Sequence, residues 1–192
     1  GVAGEVPETP GPDDDAFDDV SVHVLADNAT AVSAASEVCA AAGFEPVVLS
    51  SSVRGDAAEA AKTHVAVAEE VRRREPPAAI LSGGETTVTV GDGTGTGGPN
   101  QEFALSAALE LADTDTRAVL CAVDTDGLDG PTDAAGAIVD RDTVDDRRRA
   151  RSALAAHDAH GYLDDRGALV YTGATGTNVN DLRVVLVPAR SA

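Results

Sequence analysis

The chain carries two kinds of hydrophobic pattern, and together they predict an α/β fold. Short runs that are apolar, or that alternate apolar with polar residues, predict strands at 20–26, 46–49, 78–81, 86–90, 117–123, 169–171 and 182–187, with another inside 134–140. Small apolar residues spaced three or four apart predict helices at 28–42, 56–74 and 143–156, and one more that begins at 100. This alternation indicates a three-layer α/β/α fold whose mixed sheet is mostly parallel.

The pattern also divides the chain into two parts. Residues 1–19 are rich in proline and aspartate and lack apolar periodicity, which predicts a linker or extended arm. Residues 20–192 are long enough for one α/β domain with a substantial core. Because the chain begins at Gly1 rather than Met, we expect it to be a piece of a longer protein.

The amino-acid composition indicates the solvent in which the protein works and excludes some classes of partner. The formal net charge is −19, with 22 Asp, 11 Glu, 13 Arg and a single lysine, Lys62. Acidic residues spread in this way are typical of proteins that work in concentrated salt, where charge repulsion is screened. A basic face for nucleic acid is missing. No run approaches the roughly 20 apolar residues that cross a bilayer, so we expect a cytoplasmic protein without a membrane partner.

Three polar, glycine-rich loops are the main candidates for chemistry. They lie at 82–102, 124–133 and 172–181, after or beside predicted strands, and the first runs into Pro99 and a helix N-terminus. Glycines admit a ligand close to the backbone, and a helix N-terminus offers N–H groups to an anion. The loops therefore predict one shared phosphate site. The candidate binding residues are Ser82, Gly83, Gly84, Glu85, Thr86, Gly97, Gly98, Asn100, Gln101, Thr175, Gly176, Thr177 and Asn178.

Carboxylates concentrate in the second loop, which contains Asp124, Asp126, Asp129 and Asp133. Such groups at a strand end hold Mg²⁺ against phosphates or accept hydrogen bonds from substrate hydroxyls. An EF-hand is excluded because the terminal glutamate is missing. A solvated Asp-Gly turn remains the alternative for this loop, and a plain turn remains the alternative for the third.

Two nucleotide motifs give opposite answers. No G-x-x-x-x-G-K-[ST] run exists, so a Walker-type phosphate loop is excluded. The dinucleotide fingerprint G-x-G-x-x-G does occur, at Gly93, Gly95 and Gly98, and Asp124 could bind a ribose. A lone fingerprint in a glycine- and threonine-rich run arises easily, and the strand before it is half polar. An NAD(P)-dependent enzyme therefore stays an alternative.

Five phrases occur in an order that resembles a known family. They are GEVPETPGP, ILSGGETTVTV, GGPNQEFAL, DTDGLDGPTDAAGA and TGATGTNVNDLRVVLV, and they span Gly4 to Val187. Together they resemble the carboxyl-terminal half, or MOFRL domain, of the glycerate 2-kinases. The resemblance implies ATP- and Mg²⁺-dependent phosphorylation of D-glycerate to 2-phosphoglycerate, in a cleft shared with a larger amino-terminal domain. Some members carry the name hydroxypyruvate reductase, which is the oxidoreductase alternative.

The resemblance also suggests roles for individual residues. As a hypothesis built on it, we assign Asp126, Asp133 and Glu102 to catalysis and Asp126 and Asp129 to the metal, with Glu85 and Glu102 as second choices for the metal or the glycerate hydroxyls. Pro99 stands where many members have arginine, so no catalytic arginine can be assigned there, and the phrase DAHGY at 158–162 differs from the usual one. Because the amino-terminal domain is absent, the chain alone is expected to form half an active site. A module that binds a small anion without catalysis is the third class of function, and a homodimer stays open.

Overall fold

The computed structural model describes residue 4 and residues 7–73, 77–89 and 95–189. After a short 3-10 turn, Asp15–Phe17, the helices are α1 (Asn28–Ala41), α2 (Ala57–Val71), α3 (Pro99–Ala112), α4 (Arg147–Ala155) and α5 (Ala159–Asp165). The strands are β1 (Glu45–Val53), β2 (Ala78–Gly84), β3 (Val119–Asp124), β4 (Gly136–Val139), β5 (Leu169–Val170) and β6 (Asp181–Val187). No described helix is both long and apolar enough to cross a membrane.

The strands form one mixed sheet in the order β1-β2-β6-β3-β4-β5. The predicted α/β fold with a mixed sheet is confirmed, but among the described strands only β1 and β2 pair in parallel. The last strand, β6, inserts between β2 and β3 and runs antiparallel to both, and β3 and β4 form an antiparallel pair. The prediction that the sheet is mostly parallel is therefore wrong in this detail, because strand order along the chain does not reveal where β6 inserts.

Helices cover both faces of the sheet, which gives the predicted three layers. On one face, Val32 and Cys39 of α1 pack against Ala79 and Leu81 of β2. On the other face, the main core is built from α2 to α5, and its α2 and α3 helices contribute many fully buried alanines. Small side chains let these two helices approach the sheet closely, which brings the N-terminus of α3 against the strand ends.

Two predicted strands are not observed. Residues 20–26 form no strand, and Val20, Val22, Val24 and Leu25 are 57%, 82%, 75% and 95% exposed. Their alternation is typical of a strand, but no described strand pairs with them. In 86–89 the backbone makes only an isolated bridge between Thr87 and Asp56. The rest of that predicted strand, Val90, lies outside the described residues.

The remaining differences concern boundaries. Helix α4 begins at Arg147 rather than at 143, because the side chain of Asp146 accepts the N–H groups of Arg148 and Arg149 and caps the helix there. The stretch 157–168, which the sequence pattern left unassigned, contains α5. Strand β1 extends four residues beyond its predicted end. The described residues of the predicted linker, 1–19, are exposed.

Candidate functional site

The three glycine-rich loops meet at one edge of the sheet, where β2 and β3 end and β6 begins. The Asn180 side chain donates to Glu85 Oε2 at 3.0 Å, which joins the third loop to the first. The Asn178 side chain donates to Asp126 Oδ2 at 3.1 Å, and the N–H of Thr175 donates to the Asp126 carbonyl at 2.9 Å. These contacts place residues up to 95 positions apart in the sequence at a common surface. We call this surface, formed by 84–86, 124–133 and 172–181, the loop edge.

Asp129 occupies the N-terminus of α3, the position that the sequence suggested for a phosphate. Its carboxylate accepts the backbone N–H of Asn100 and of Gln101, each at 2.9 Å. It also accepts the side-chain amides of Asn100 at 3.2 Å and of Gln101 at 2.9 Å. Asp129 is 1% exposed. Burial raises the pKa of Asp129, whereas these four N–H donors favour the ionised form.

An ion pair lies directly behind the loop edge. Arg183 of β6 is fully buried and donates to Asp181 Oδ2 at 2.5 Å and to the Thr86 hydroxyl at 2.7 Å. Its guanidinium stacks over Phe103 of α3, 4.7 Å from the ring centroid. The amide of Asn100 donates to Asp181 Oδ1 at 2.7 Å. Asp181 therefore links β6, α3 and the first loop, and it holds the Thr86 N–H as well.

Ser82 points into the core rather than toward a ligand. Its hydroxyl is buried and lies 2.6 Å from His64 Nε2, and His64 Nδ1 lies 2.8 Å from the Ala60 carbonyl. Because a carbonyl only accepts, Nδ1 of His64 carries the proton and Nε2 accepts from Ser82. Burial, reinforced by the charge of Arg183, lowers the pKa of His64, so the ring is neutral. The hydroxyl of Ser82 is thus engaged within the protein.

Close packing within the chain explains the site glycines. A Cβ on Gly83 would collide with the Asn28 side chain, and one on Gly84, whose φ is +123°, would collide with the Val53 backbone. Gly95 lies against the backbone of Ala156 and His157, and Gly98 lies against Asp129. The described fingerprint glycines therefore serve internal packing, and Gly93 lies outside the described residues. A dinucleotide site needs a strand before the fingerprint and a free helix N-terminus for the pyrophosphate. The described part of 86–90 forms no strand, and Asp129 occupies the N-terminus of α3, so the structure does not support the dinucleotide alternative.

The predicted site residues now fall into two groups. Exposed residues at the loop edge are Glu85, Asp133, Thr175, Gly176, Thr177 and Asn178, and Asp126 is half-buried among them. Buried residues that hold the loops are Ser82, Gly83, Gly84, Thr86, Gly98, Asn100, Gln101, Glu102 and Asp129, and Gly97 is half-buried. The exposed residues can contact a ligand directly, whereas the buried residues position the loops on which the exposed ones lie.

Two histidines that the sequence analysis did not single out contact the first turn of α3. His157 Nδ1 lies 2.9 Å from Glu102 Oε2, and His160 Nδ1 lies 2.8 Å from Gln101 Oε1. Burial raises the pKa of Glu102, and the contact with His157 opposes that rise. His157 has a φ of 54°, which is uncommon for a residue other than glycine. Arg183 was also missed as a functional residue, since it lies in an otherwise apolar strand, and Asp181 was included in the third loop without a role of its own.

The described residues offer little for a metal that is held by the protein alone. They contain no group of three or more His, Cys, Asp or Glu side chains placed to hold an ion. Both oxygens of Asp129 are already saturated by N–H donors, so Asp129 does not fit the predicted role of metal ligand. Asp126 accepts one N–H at each oxygen, from Leu128 and Asn178, and retains lone pairs at the surface. Mg²⁺ commonly uses only one or two carboxylates together with substrate phosphates, and Asp126 fits that use.

Comparison with known proteins adds the remaining evidence. A family model described as the MOFRL family matches residues 78–181. A glycerate 2-kinase from Pyrococcus horikoshii is 37% identical over 99% of this chain and 44% of that protein. A crystal structure of glycerate kinase from Thermotoga maritima has a TM-score of 0.81 at 38% identity, covering 87% of this chain and 42% of that one. A putative hydroxypyruvate reductase from Agrobacterium vitis is 39% identical over 86% of this chain and 40% of that protein. The chain thus spans less than half the length of these relatives.

Proposed function

Because the chain belongs to the MOFRL family, we propose that it forms the carboxyl-terminal part of a glycerate 2-kinase. The proposed reaction is transfer of the γ-phosphoryl group of ATP to the 2-hydroxyl of D-glycerate. The observation that carries the proposal is the meeting of three glycine-rich loops at one edge, where the first two present carboxylate groups and the third presents hydroxyl and amide groups. An ATP-dependent enzyme of this kind would work in the cytoplasm, and the acidic composition suggests concentrated salt.

We assign the exposed residues of the loop edge to the ligands. Thr175, Thr177 and Asn178 present hydroxyl and amide groups that suit a polyol or a phosphate without any lysine. Asp126 would hold Mg²⁺ together with the nucleotide phosphates, and Mg²⁺ would supply the charge that stabilises the transferring phosphoryl group. Glu85 and Asp133 are exposed, and we assign them to accept hydrogen bonds from substrate hydroxyls. The buried group, above all Asn100, Gln101 and Asp129, fixes the loops in place.

Charge explains why this edge would need a second domain. Asp126, Asp133 and Glu85 face solvent here, and the only lysine, Lys62, forms an ion pair with Glu59 on α2 instead. A polyphosphate approaching carboxylates alone would be repelled, so cations must come from elsewhere. We propose that Mg²⁺ and basic groups of the amino-terminal part of the longer protein supply them, in a cleft that this edge half forms.

The test is a coupled kinase assay on the longer protein, in high salt with ATP, Mg²⁺ and D-glycerate. We expect formation of 2-phosphoglycerate, and we expect Asp126→Asn to lower kcat/KM by on the order of 100-fold, since small displacements of positioned groups cost that much. Asp142→Asn, on an exposed turn away from the loop edge, is the matched control. Asp126→Asn with unchanged kcat/KM would remove Asp126 from the site.

The same assay separates the alternatives. If the longer protein instead consumes NAD(P)H with hydroxypyruvate and makes no 2-phosphoglycerate, the kinase proposal is wrong. This outcome is included because the Agrobacterium vitis relative is named a putative hydroxypyruvate reductase. If the longer protein binds ATP or glycerate but turns over neither substrate, the loop edge belongs to a binding module.

A further inference from the structure

Residues 20–26, which we call the apolar arm, have the sequence pattern of a strand but pair with no strand in the described part of the chain. Their sequence VSVHVLA places Val20, Val22 and Val24 two residues apart, so in a strand all three would lie on one face. Each is more than half exposed, and Leu25 is 95% exposed. Singly exposed apolar residues are ordinary, but four large ones within six residues are not.

The backbone of the arm is equally unpartnered within the described chain. From Ser21 to Ala26 no N–H or carbonyl group forms a hydrogen bond with another described residue. Strand β1 lies at the edge of the sheet and the arm precedes α1, so a parallel pairing of the arm with β1 would need only that helix as its crossover. The structure does not make this pairing. Both the side chains and the backbone of the arm thus lack the partner that their pattern requires.

Lengths of related proteins indicate where that partner lies. The Pyrococcus horikoshii relative matches 99% of this chain, so the match includes the arm, yet the matched part is only 44% of that protein. More than half of such a protein is therefore available to pack against the arm. We infer that the arm adds as a β-strand to a sheet edge in the part of the longer protein that this chain does not span, with Val20, Val22 and Val24 buried at that contact. This inference rests on the proposal that the chain is part of a longer kinase.

Hydrogen exchange measured by mass spectrometry tests the inference directly. We expect the amides of 21–26 that face the new neighbour, every second one along the arm, to exchange quickly in this chain alone and at least about 100-fold more slowly in the longer protein, because strand pairing protects those N–H groups. Slow exchange in both would mean that the arm pairs within this chain or between copies, and fast exchange in both would mean no strand forms. Either result overturns the inference.

Variants of the longer protein separate side-chain burial from backbone pairing. Val22→Asp with Val24→Asp should remove the protection of the arm, whereas Val38→Asp, at a valine of α1 that is 70% exposed, should leave it intact. His23→Pro with Val24→Pro removes two neighbouring N–H groups without adding charge, and because one of the two faces the paired side whichever side pairs, it should also raise exchange across the arm. Slow exchange in α3 shows that each variant is folded. Retained protection in either arm variant overturns the inference.

The readout is independent of catalysis. A longer protein that phosphorylates nothing but protects the arm would contradict the proposed function and support the arm contact. An active glycerate kinase whose arm exchanges as quickly as in this chain alone would contradict the arm contact only.

Discussion

Asp124 is the carboxylate whose acidity the fold changes most clearly. It ends β3 and pairs across the ladder with Asp181 of β6. Burial, followed by the nearby charges of Asp126, Asp181 and Asp129, raises its pKa from the ordinary 3.8 to about 6. One of its oxygens accepts the Asp126 N–H, which opposes the rise without cancelling it. At neutral pH the ionised form of Asp124 therefore lowers the stability of the folded chain.

The sign of the effect on stability follows from linkage. Between pH 3.8 and 6 the folded chain binds more protons at Asp124 than the unfolded chain does, so stability falls as pH rises through this window. Asparagine keeps the acceptor for the Asp126 N–H and removes the charge. We therefore expect Asp124→Asn to raise Tm by about 3 °C at pH 8, which is roughly 1 kcal/mol for a chain of this size, and to change it little at pH 4.5.

Thermal unfolding followed by circular dichroism at both pH values measures this difference. Asp142→Asn provides the control, because Asp142 lies on an exposed turn and its substitution should shift Tm equally little at each pH. An Asp124→Asn shift that is the same at pH 4.5 and pH 8 would show that charge at this position does not matter.

At the scale of elements, the start of α3 depends on a residue from another loop. Gly98 provides no side-chain cap, and the carboxylate of Asp129 takes that role from 29 positions away. Removing it would leave buried N–H groups of Asn100 and Gln101 without an acceptor. Each hydrogen bond to a charged group contributes about 1.5–3 kcal/mol, and the unpaired donors add a desolvation cost.

We expect Asp129→Asn to lower the free energy of unfolding by about 3 kcal/mol, because the asparagine NH₂ would face N–H donors at one of the two oxygens. Asp27→Asn is the matched control. Asp27 caps α1 by accepting the Thr30 N–H at 2.9 Å on the exposed surface, and Asn and Asp are equally good N-caps. Urea unfolding of both variants at pH 7 measures the contrast. Equal, small losses would mean that Asp129 is not needed at the start of α3.

The same elements show what the sequence could and could not predict. Strands β2, β3 and β6 are mostly apolar runs beside polar loops, so local pattern was enough to find them and to place two loops after β2 and β3 and the third before β6. The antiparallel position of β6 depends on contacts between residues up to about a hundred positions apart, and local pattern carries no information about them. The apolar arm shows the opposite error. Its pattern predicts a strand, but a strand also requires a neighbour.

Some site residues could likewise be found from local sequence pattern, whereas others depend on contacts between distant parts of the chain. Glycine, hydroxyl and acidic residues in loops are visible in the sequence, and in the structure Asn178 contacts Asp126 and Asn180 contacts Glu85. That Asp129 faces inward onto a helix N-terminus could not be predicted, because its Asp-Gly context is the same as that of Asp126. His157 and Arg183 were missed for a related reason, since each acquires its contact only when α5 or β6 packs against α3.

At the scale of the whole molecule, charge is the dominant property. A net charge of −19 on a chain of 192 residues creates repulsion among surface carboxylates that only solvent ions can relieve. The Debye length falls from about 10 Å at 0.1 M salt to about 3 Å at 1 M, so most of this repulsion is screened within that range. We expect Tm to rise by about 5 °C between 0.1 and 1 M KCl, roughly 2 kcal/mol for this size, and then to level off.

The way in which Tm depends on KCl concentration identifies the cause of the stabilisation by salt. Screening saturates once the Debye length is shorter than the spacing between charges, whereas exclusion of salt from apolar surface continues to stabilise the fold at several molar. A triple variant, Asp19→Asn, Glu37→Gln and Asp142→Asn, removes three exposed charges and should reduce the rise in Tm below 1 M. Differential scanning calorimetry from 0.1 to 3 M KCl measures both. A linear rise to 3 M that the triple variant shares would show that charge repulsion does not limit the stability of this fold.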